Sequence, residues 1–107
     1  MVYAVYTTES FQEQIKSLSD SEKRVIGKVY LQLKGNPYVG DQIRYRFFRE
    51  KRIKEKRIYY LVYDNLASVL VVAFGGKKAQ QETIEEIIKD FPEYRKYMEK
   101  LLKKSSS

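Results

Sequence analysis

The chain opens with Val2-Tyr3-Ala4-Val5-Tyr6-Thr7, uncharged and rich in β-branched and aromatic residues, which predicts a short strand. Thr8-Glu9-Ser10 follows with hydroxyls suited to capping a helix. Phe11, Ile15 and Leu18 recur at i, i+4 and i+7 and predict a helix with one buried stripe. Ser19-Asp20-Ser21-Glu22 then interrupts the stripe with a capping-box pattern, so a second helix begins there. Its apolar face is Val25, Ile26, Val29, Tyr30 and Leu33, and Lys34-Gly35-Asn36-Pro37 ends it with a capping glycine and a proline that cannot continue it.

Beyond a turn at Gly40 and Asp41 the pattern changes to that of strands. Three are predicted, over residues 43–53, 56–63 and 68–74, with tight turns at Lys54-Glu55 and Asp64-Asn65 that favour antiparallel hairpins. Val69-Leu70-Val71-Val72-Ala73-Phe74 is apolar throughout, as expected of a strand inside the sheet or covered on both faces. A helical period returns with Ile84, Ile87, Ile88 and Phe91, and Asp90-Phe91-Pro92-Glu93 marks a break and restart. Tyr94, Tyr97, Met98, Leu101 and Leu102 carry the apolar stripe onward, with Lys100, Lys103 and Lys104 suited to the negative end of the helix dipole. The expected fold is α+β: an N-terminal strand and a two-helix hairpin packed on an antiparallel sheet, then a C-terminal helix. Residues 1–104 are read as a single domain and 105–107 as a disordered tail.

Composition narrows the chemistry. A chain of 107 residues, 43% hydrophobic and 33% charged, can form one core. With no Cys and no His, it has no disulfide, no thiolate nucleophile, no imidazole proton carrier and no ordinary zinc ligand, so no metal or cofactor is expected. No apolar run approaches the roughly 18 to 20 residues that span a bilayer, so no membrane partner is expected and the expected location is the cytoplasm.

The formal net charge of +7 changes the picture most, because of where it lies. Between positions 44 and 57, Arg44, Arg46, Arg49, Lys51, Arg52, Lys54, Lys56 and Arg57 stand against only Glu50 and Glu55, eight cations to two carboxylates. One predicted hairpin thus holds a net +6, a footprint suited to a polyanion. Tyr45, Phe47, Phe48, Tyr59 and Tyr60 are interleaved with these cations and offer rings on which unpaired bases stack. Hairpin edges also carry Lys and Arg simply to discourage aggregation, so charge alone leaves both readings open. Alternation assigns Tyr59, Leu61 and Tyr63 to one face, read as core, and puts Tyr60 on the face of Lys56. Gly75-Gly76-Lys77-Lys78 reads first as a strand-to-helix turn with solvated lysines, since it lacks phosphate-loop spacing. Glu82, Glu85 and Glu86 suit an early helical turn and need no catalytic role.

The order of these elements resembles the RelE/ParE superfamily of bacterial and archaeal toxin–antitoxin toxins over residues 3–88. The matching pieces are the strand leading into "FQEQIKSL", the helix ending "LKGNPYVGD", the basic strand "FFREKRI", the strand "YYLVY" and the apolar strand with its basic turn, "VLVVAFGGKK". The resemblance implies a toxin that cleaves messenger RNA on the ribosome, held inactive by a cognate antitoxin. Such an enzyme can work without His, because RNA supplies its own nucleophile, the 2′-hydroxyl, and clustered cations can align the phosphate and neutralise developing charge. A lysine or tyrosine with a shifted pKa would then move protons. Carried onto this chain, the resemblance implies Arg49, Lys51, Arg52 and Lys78 as catalytic cations. Arg44, Arg46, Lys54, Lys56, Arg57, Tyr60 and Lys77 would contact RNA. The family's arginine in its Tyr-Arg-aliphatic-aliphatic-Tyr strand falls on Tyr60, and an aromatic residue of the next helix falls near Ile84. The alternative is therefore a non-catalytic module of the same fold that binds antitoxin, nucleic acid or gyrase. The C-terminal stripe is a possible homodimer surface.

Overall fold

The computed structural model describes residues 2–105. The chain divides into two compact units, Met1–Lys77 and Lys78–Ser107.

In the first unit, β1 (Ala4–Thr7) runs into α1 (Glu9–Ile15) through Thr8, whose Oγ1 accepts the Phe11 N–H at 3.1 Å. α1 stops at Ile15, three residues short of Leu18, which is half-buried and packs against the same core. Ser19 caps α2 (Asp20–Gly35) with the full reciprocal box: its hydroxyl accepts from the Glu22 N–H, and Glu22 accepts from the Ser19 N–H at 3.2 Å. That bond holds the Glu22 carboxyl below its ordinary pKa. α2 closes on Asn36 in an extended conformation, so Gly35 is not used for a left-handed cap.

Four strands follow: β2 (Asp41–Ile43), β3 (Tyr45–Ile53), β4 (Lys56–Tyr63) and β5 (Ser68–Gly76). The single strand expected over 43–53 is broken at Arg44, whose φ of 58° turns the chain so that β2 folds back antiparallel on β3. The Lys54-Glu55 turn is as expected, with Lys54 also left-handed at φ 56°. A 3-10 turn, Asp64–Leu66, connects β4 to β5. Gly75 and Gly76 belong to β5, paired with Arg57 and Lys56, and the turn begins only at Lys77.

The sheet order is β1-β5-β4-β3-β2. All neighbours are antiparallel except β1 and β5, which run parallel from Ala4↔Ser68 to Thr7↔Val71, so the N-terminal strand joins the sheet and closes its β5 side. β5 lies between two neighbours and is buried from Ser68 to Ala73, as its continuous apolar run predicts. One face of the sheet, with Ile58, Tyr60, Val62, Val69 and Val71, packs with Phe11 and Ile15 of α1 and with Ile26, Val29 and Leu33 of α2. Each such aliphatic or aromatic side chain contributes about 1.5–3 kcal/mol on burial, which makes this cluster the main stabilising element of the unit. β4 is buried on both faces, Tyr59 and Leu61 as fully as Ile58 and Tyr60.

The second unit comprises α3 (Gln80–Lys89) and α4 (Phe91–Ser105), with the break at Asp90 that the sequence predicts. Met98 is fully buried, while Tyr94, Tyr97, Leu101 and Leu102 are half-buried. Of the expected tail, Ser105 is the last residue of α4 and the rest lies outside the described residues.

Candidate nucleic-acid interface

The pairing of β3 with β4 sorts the cations of the hairpin into three groups. Arg44, Arg46, Arg52, Lys54 and Lys56 are exposed and Lys51 is half-buried, so these six present charge at the surface. Lys54 and Lys56, at the hairpin tip, line a cleft with Leu18, Val25, Ile26 and Phe74.

Arg57 forms the second group. Expected to contact RNA, it is 5% exposed, and its Nε lies 3.3 Å from Oε2 of Glu50, itself largely buried. The reason is register. Glu50 pairs with Tyr59 and Arg52 with Arg57, so Glu50 reaches diagonally along the same face to the buried guanidinium. Burial and the Glu50 charge raise the pKa of Tyr59, whose buried hydroxyl has no hydrogen-bond partner.

Arg49 is the third. Its guanidinium is spent on backbone carbonyls: Nε and Nη2 donate to the Gly40 carbonyl at 3.1 and 2.9 Å, Nη2 also to Tyr38 at 3.3 Å, and Nη1 to Arg46 at 3.0 Å. The loop after α2 is thereby fastened to β3. Tyr60, expected to contact a base, is part of the same fastening. It is 0% exposed, and its hydroxyl accepts the Gly40 N–H at 3.0 Å. A ring with no accessible face cannot stack on RNA, so its assignment as an RNA contact is corrected to a core role. Burial raises its pKa against the lowering effect of Gly40 and Arg49.

A carboxylate-centred cluster that sequence reasoning missed sits beside this loop. Asp64 accepts from the hydroxyls of Tyr3 at 2.8 Å and Tyr38 at 2.5 Å, and Arg46 Nη1 lies 3.4 Å away. The Arg46 guanidinium stacks 4.2 Å above the Tyr38 ring, and that of Arg49 lies 5.2 Å from it. The tyrosine bonds hold Asp64 below the ordinary carboxylate range. Burial, then the bond to Asp64, pushes Tyr38 up to about 12, and Tyr3 is raised mainly by its bond to Asp64. The sequence signal was thin: Asp64 reads as a turn residue, and its partners lie 61 and 26 positions away.

Lys77 and Lys78 are exposed in the 3-10 turn Lys77–Ala79, with Lys78 opening the second unit. Ile84 is buried, in keeping with its place on the apolar stripe of α3. Among the described residues no cluster of acidic side chains could hold a metal ion, and no helix is long and apolar enough to cross a membrane.

No protein-family model matches the sequence, and neither does any curated protein. Solved structures do match. A double mutant of the E. coli toxin RelE in the free state superposes with a TM-score of 0.74 at 18% identity, over 85% of this chain and 99% of that one. The RelBE2 toxin–antitoxin complex of Mycobacterium tuberculosis gives 0.64 at 17% identity, over 72% of this chain and 100% of that one. The archaeal RelE–RelB complex of Pyrococcus horikoshii gives 0.61 at 16%, over 72% and 97%. These identities speak to architecture, and the four helices and five-stranded mixed sheet of the described residues agree with the expectation drawn from the order of elements: the chain has the fold of the RelE toxins.

Proposed function

We propose that the protein is the toxin of a toxin–antitoxin pair and cuts messenger RNA on the ribosome, using the β3–β4 hairpin as its RNA surface. The observation that carries the proposal is the net +6 gathered on one hairpin of a RelE-type sheet, with five of its cations exposed and Lys51 half-buried. The complexes named above join proteins called RelE to proteins called RelB, which supports an antitoxin as this chain's partner. The half-buried stripe of α4 is the surface through which two copies would associate, and the dependence of molecular mass on concentration tests that.

In the proposed reaction the 2′-oxygen attacks phosphorus, the bond to the 5′-oxygen breaks, and a 2′,3′-cyclic phosphate and a 5′-hydroxyl result. The 2′-proton leaves to solvent as the 5′-oxygen gains one. Arg52 is the cation assigned to orient the phosphate and offset its developing charge, since Lys51, its neighbour on β3, faces the other side of the strand. Arg49 is reassigned to positioning, since its donors hold the 38–40 loop. Tyr38, Tyr59 and Tyr60 are not activated bases, because burial raises the pKa of each. Mapping message ends after incubation with translating ribosomes tests the reading. Cuts that disappear in Arg52→Ala support it, and intact message at every codon overturns it.

A second reading, a binding module of the same fold, draws support from the commitment of Arg49 to Gly40 and of Arg57 to Glu50. It expects Arg52→Glu to abolish partner binding by a protein that never cleaves RNA.

A further inference from the structure

We propose that Tyr45 and Phe47 form a stacking platform for an unpaired base of single-stranded RNA, an inference that rests on the RNA-binding reading above. Their positions, i and i+2 on β3, put both rings on one side of the strand. They stack on each other with centroids 5.5 Å apart and planes 21° from parallel. Tyr45 is 44% exposed and Phe47 39%, and among the described residues they are the aromatic members of the exposed large hydrophobic residues. The other rings of the hairpin are in a different state. Phe48, Tyr59 and Tyr60 are fully buried. The nearby Tyr38 ring is stacked on by Arg46.

Backbone irregularity explains the exposure. Between the pairs Ile43↔Tyr45 and Gln42↔Arg49, β3 advances four residues while β2 advances one, and the ladder to β4 begins only at Phe48↔Leu61. Tyr45 to Phe47 therefore stand on a bulge outside the ladder to β4, and bulges at sheet edges re-aim side chains. Large rings left at the surface forgo the roughly 25 cal/mol per Å² that burial would return, and a surface of this kind marks a place for a partner.

The kind of partner follows from the neighbours. Arg44 and Arg46 flank the two rings along the chain and are exposed, Arg46 with 70% of its side chain accessible although its guanidinium also lies over Tyr38 and 3.4 Å from Asp64. A single strand of RNA brings one phosphate and one flat ring per nucleotide, and so meets both elements of this pattern. A duplex keeps its bases stacked internally and meets only the cations. An acidic peptide likewise has charge to offer but no flat ring in each residue.

The test is binding of the full chain to three labelled oligonucleotides at fixed salt: a 12-base single strand, its duplex, and the same single strand without bases. Tyr45→Ala with Phe47→Ala should weaken the single strand about ten- to a hundredfold, the range for loss of a base–aromatic stack. The duplex and the abasic strand should change less than about threefold, and the salt slope should stay constant, since no phosphate contact is lost. Tyr45→Phe should retain wild-type affinity, and circular dichroism verifies that the double variant is folded. Unchanged single-strand affinity in the double variant, while Arg52→Glu still weakens binding, overturns the platform and leaves the RNA reading standing. A wild-type chain that binds no RNA overturns both. Loss of antitoxin binding with RNA affinity intact would make the ring pair a protein contact and also overturn the proposal.

Discussion

Arg49 and Tyr60 are register partners across β3 and β4, and both close on Gly40: Arg49 donates to its carbonyl at 2.9 Å while Tyr60 accepts its N–H at 3.0 Å. Two residues expected to bind RNA thus satisfy both backbone polar groups of one buried residue. Replacing Tyr60 by Phe keeps the ring and removes the acceptor, leaving the Gly40 N–H unpaired. Tyr60→Phe should cost about 1–3 kcal/mol in urea unfolding. RNA affinity of the folded variant should not change, and a large loss there would restore the base-contact role.

Gly40 is constrained by space as well as by bonding. A Cβ there would lie 2.4 Å from the Glu50 carbonyl oxygen and 2.7 Å from the Tyr60 hydroxyl. The first is backbone in a paired strand and cannot move aside. Gly40→Ala should therefore destabilise by about 1–3 kcal/mol, seen as a lower denaturation midpoint, even though alanine is tolerated at most loop positions.

Glu50 and Arg57 are buried together, with 13% and 6% of their side chains accessible. Removing one partner leaves the other charge without compensation, so Glu50→Gln should destabilise by about 3 kcal/mol. Little solvent reaches the pair, so this loss should persist in 0.5 M salt. A loss that vanishes in salt would place the pair at the surface.

The Asp64 cluster predicts pH dependence at both extremes. Asp64 is held below its ordinary value of 3.8, so its contribution is present above that pH and is lost as pH falls through the lower folded value. Tyr38 is raised from 10.0 to about 12, so its contribution is complete below pH 10 and is lost as pH rises toward 12. Asp64→Asn should flatten the acid limb of a plot of melting temperature against pH. An acid limb unchanged in that variant would assign it to other carboxylates.

RNA affinity should fall steeply with salt, because each neutralised phosphate releases counterions. Arg52→Ala should reduce the slope of log affinity against log salt by about 0.7, the value for one phosphate contact on a single strand. Arg57→Ala should leave the slope unchanged in whatever protein remains folded, since its charge already faces Glu50.

Most local structure was legible along the chain. The Ser19 box, the Thr8 cap, the Lys54-Glu55 turn, the apolar run of β5 and the break before Phe91 are all written in neighbouring residues. Alternation failed on β4, because a strand buried on both faces has no polar side to mark its inward positions, and so Tyr60 looked accessible. The break at Arg44 was hidden for a different reason, since a left-handed arginine leaves no compositional trace.

The sequence by itself determined the elements, their order and the concentration of charge on one hairpin, because caps, periods and composition act over a few residues. Tertiary structure alone decided which of those charges are available. Arg57 is consumed by Glu50 through strand register and Arg49 by Gly40 through loop packing, while Tyr45 and Phe47 are brought to the surface by a bulge. Register, packing and accessibility depend on pairings between distant parts of the chain, and no local pattern encodes them.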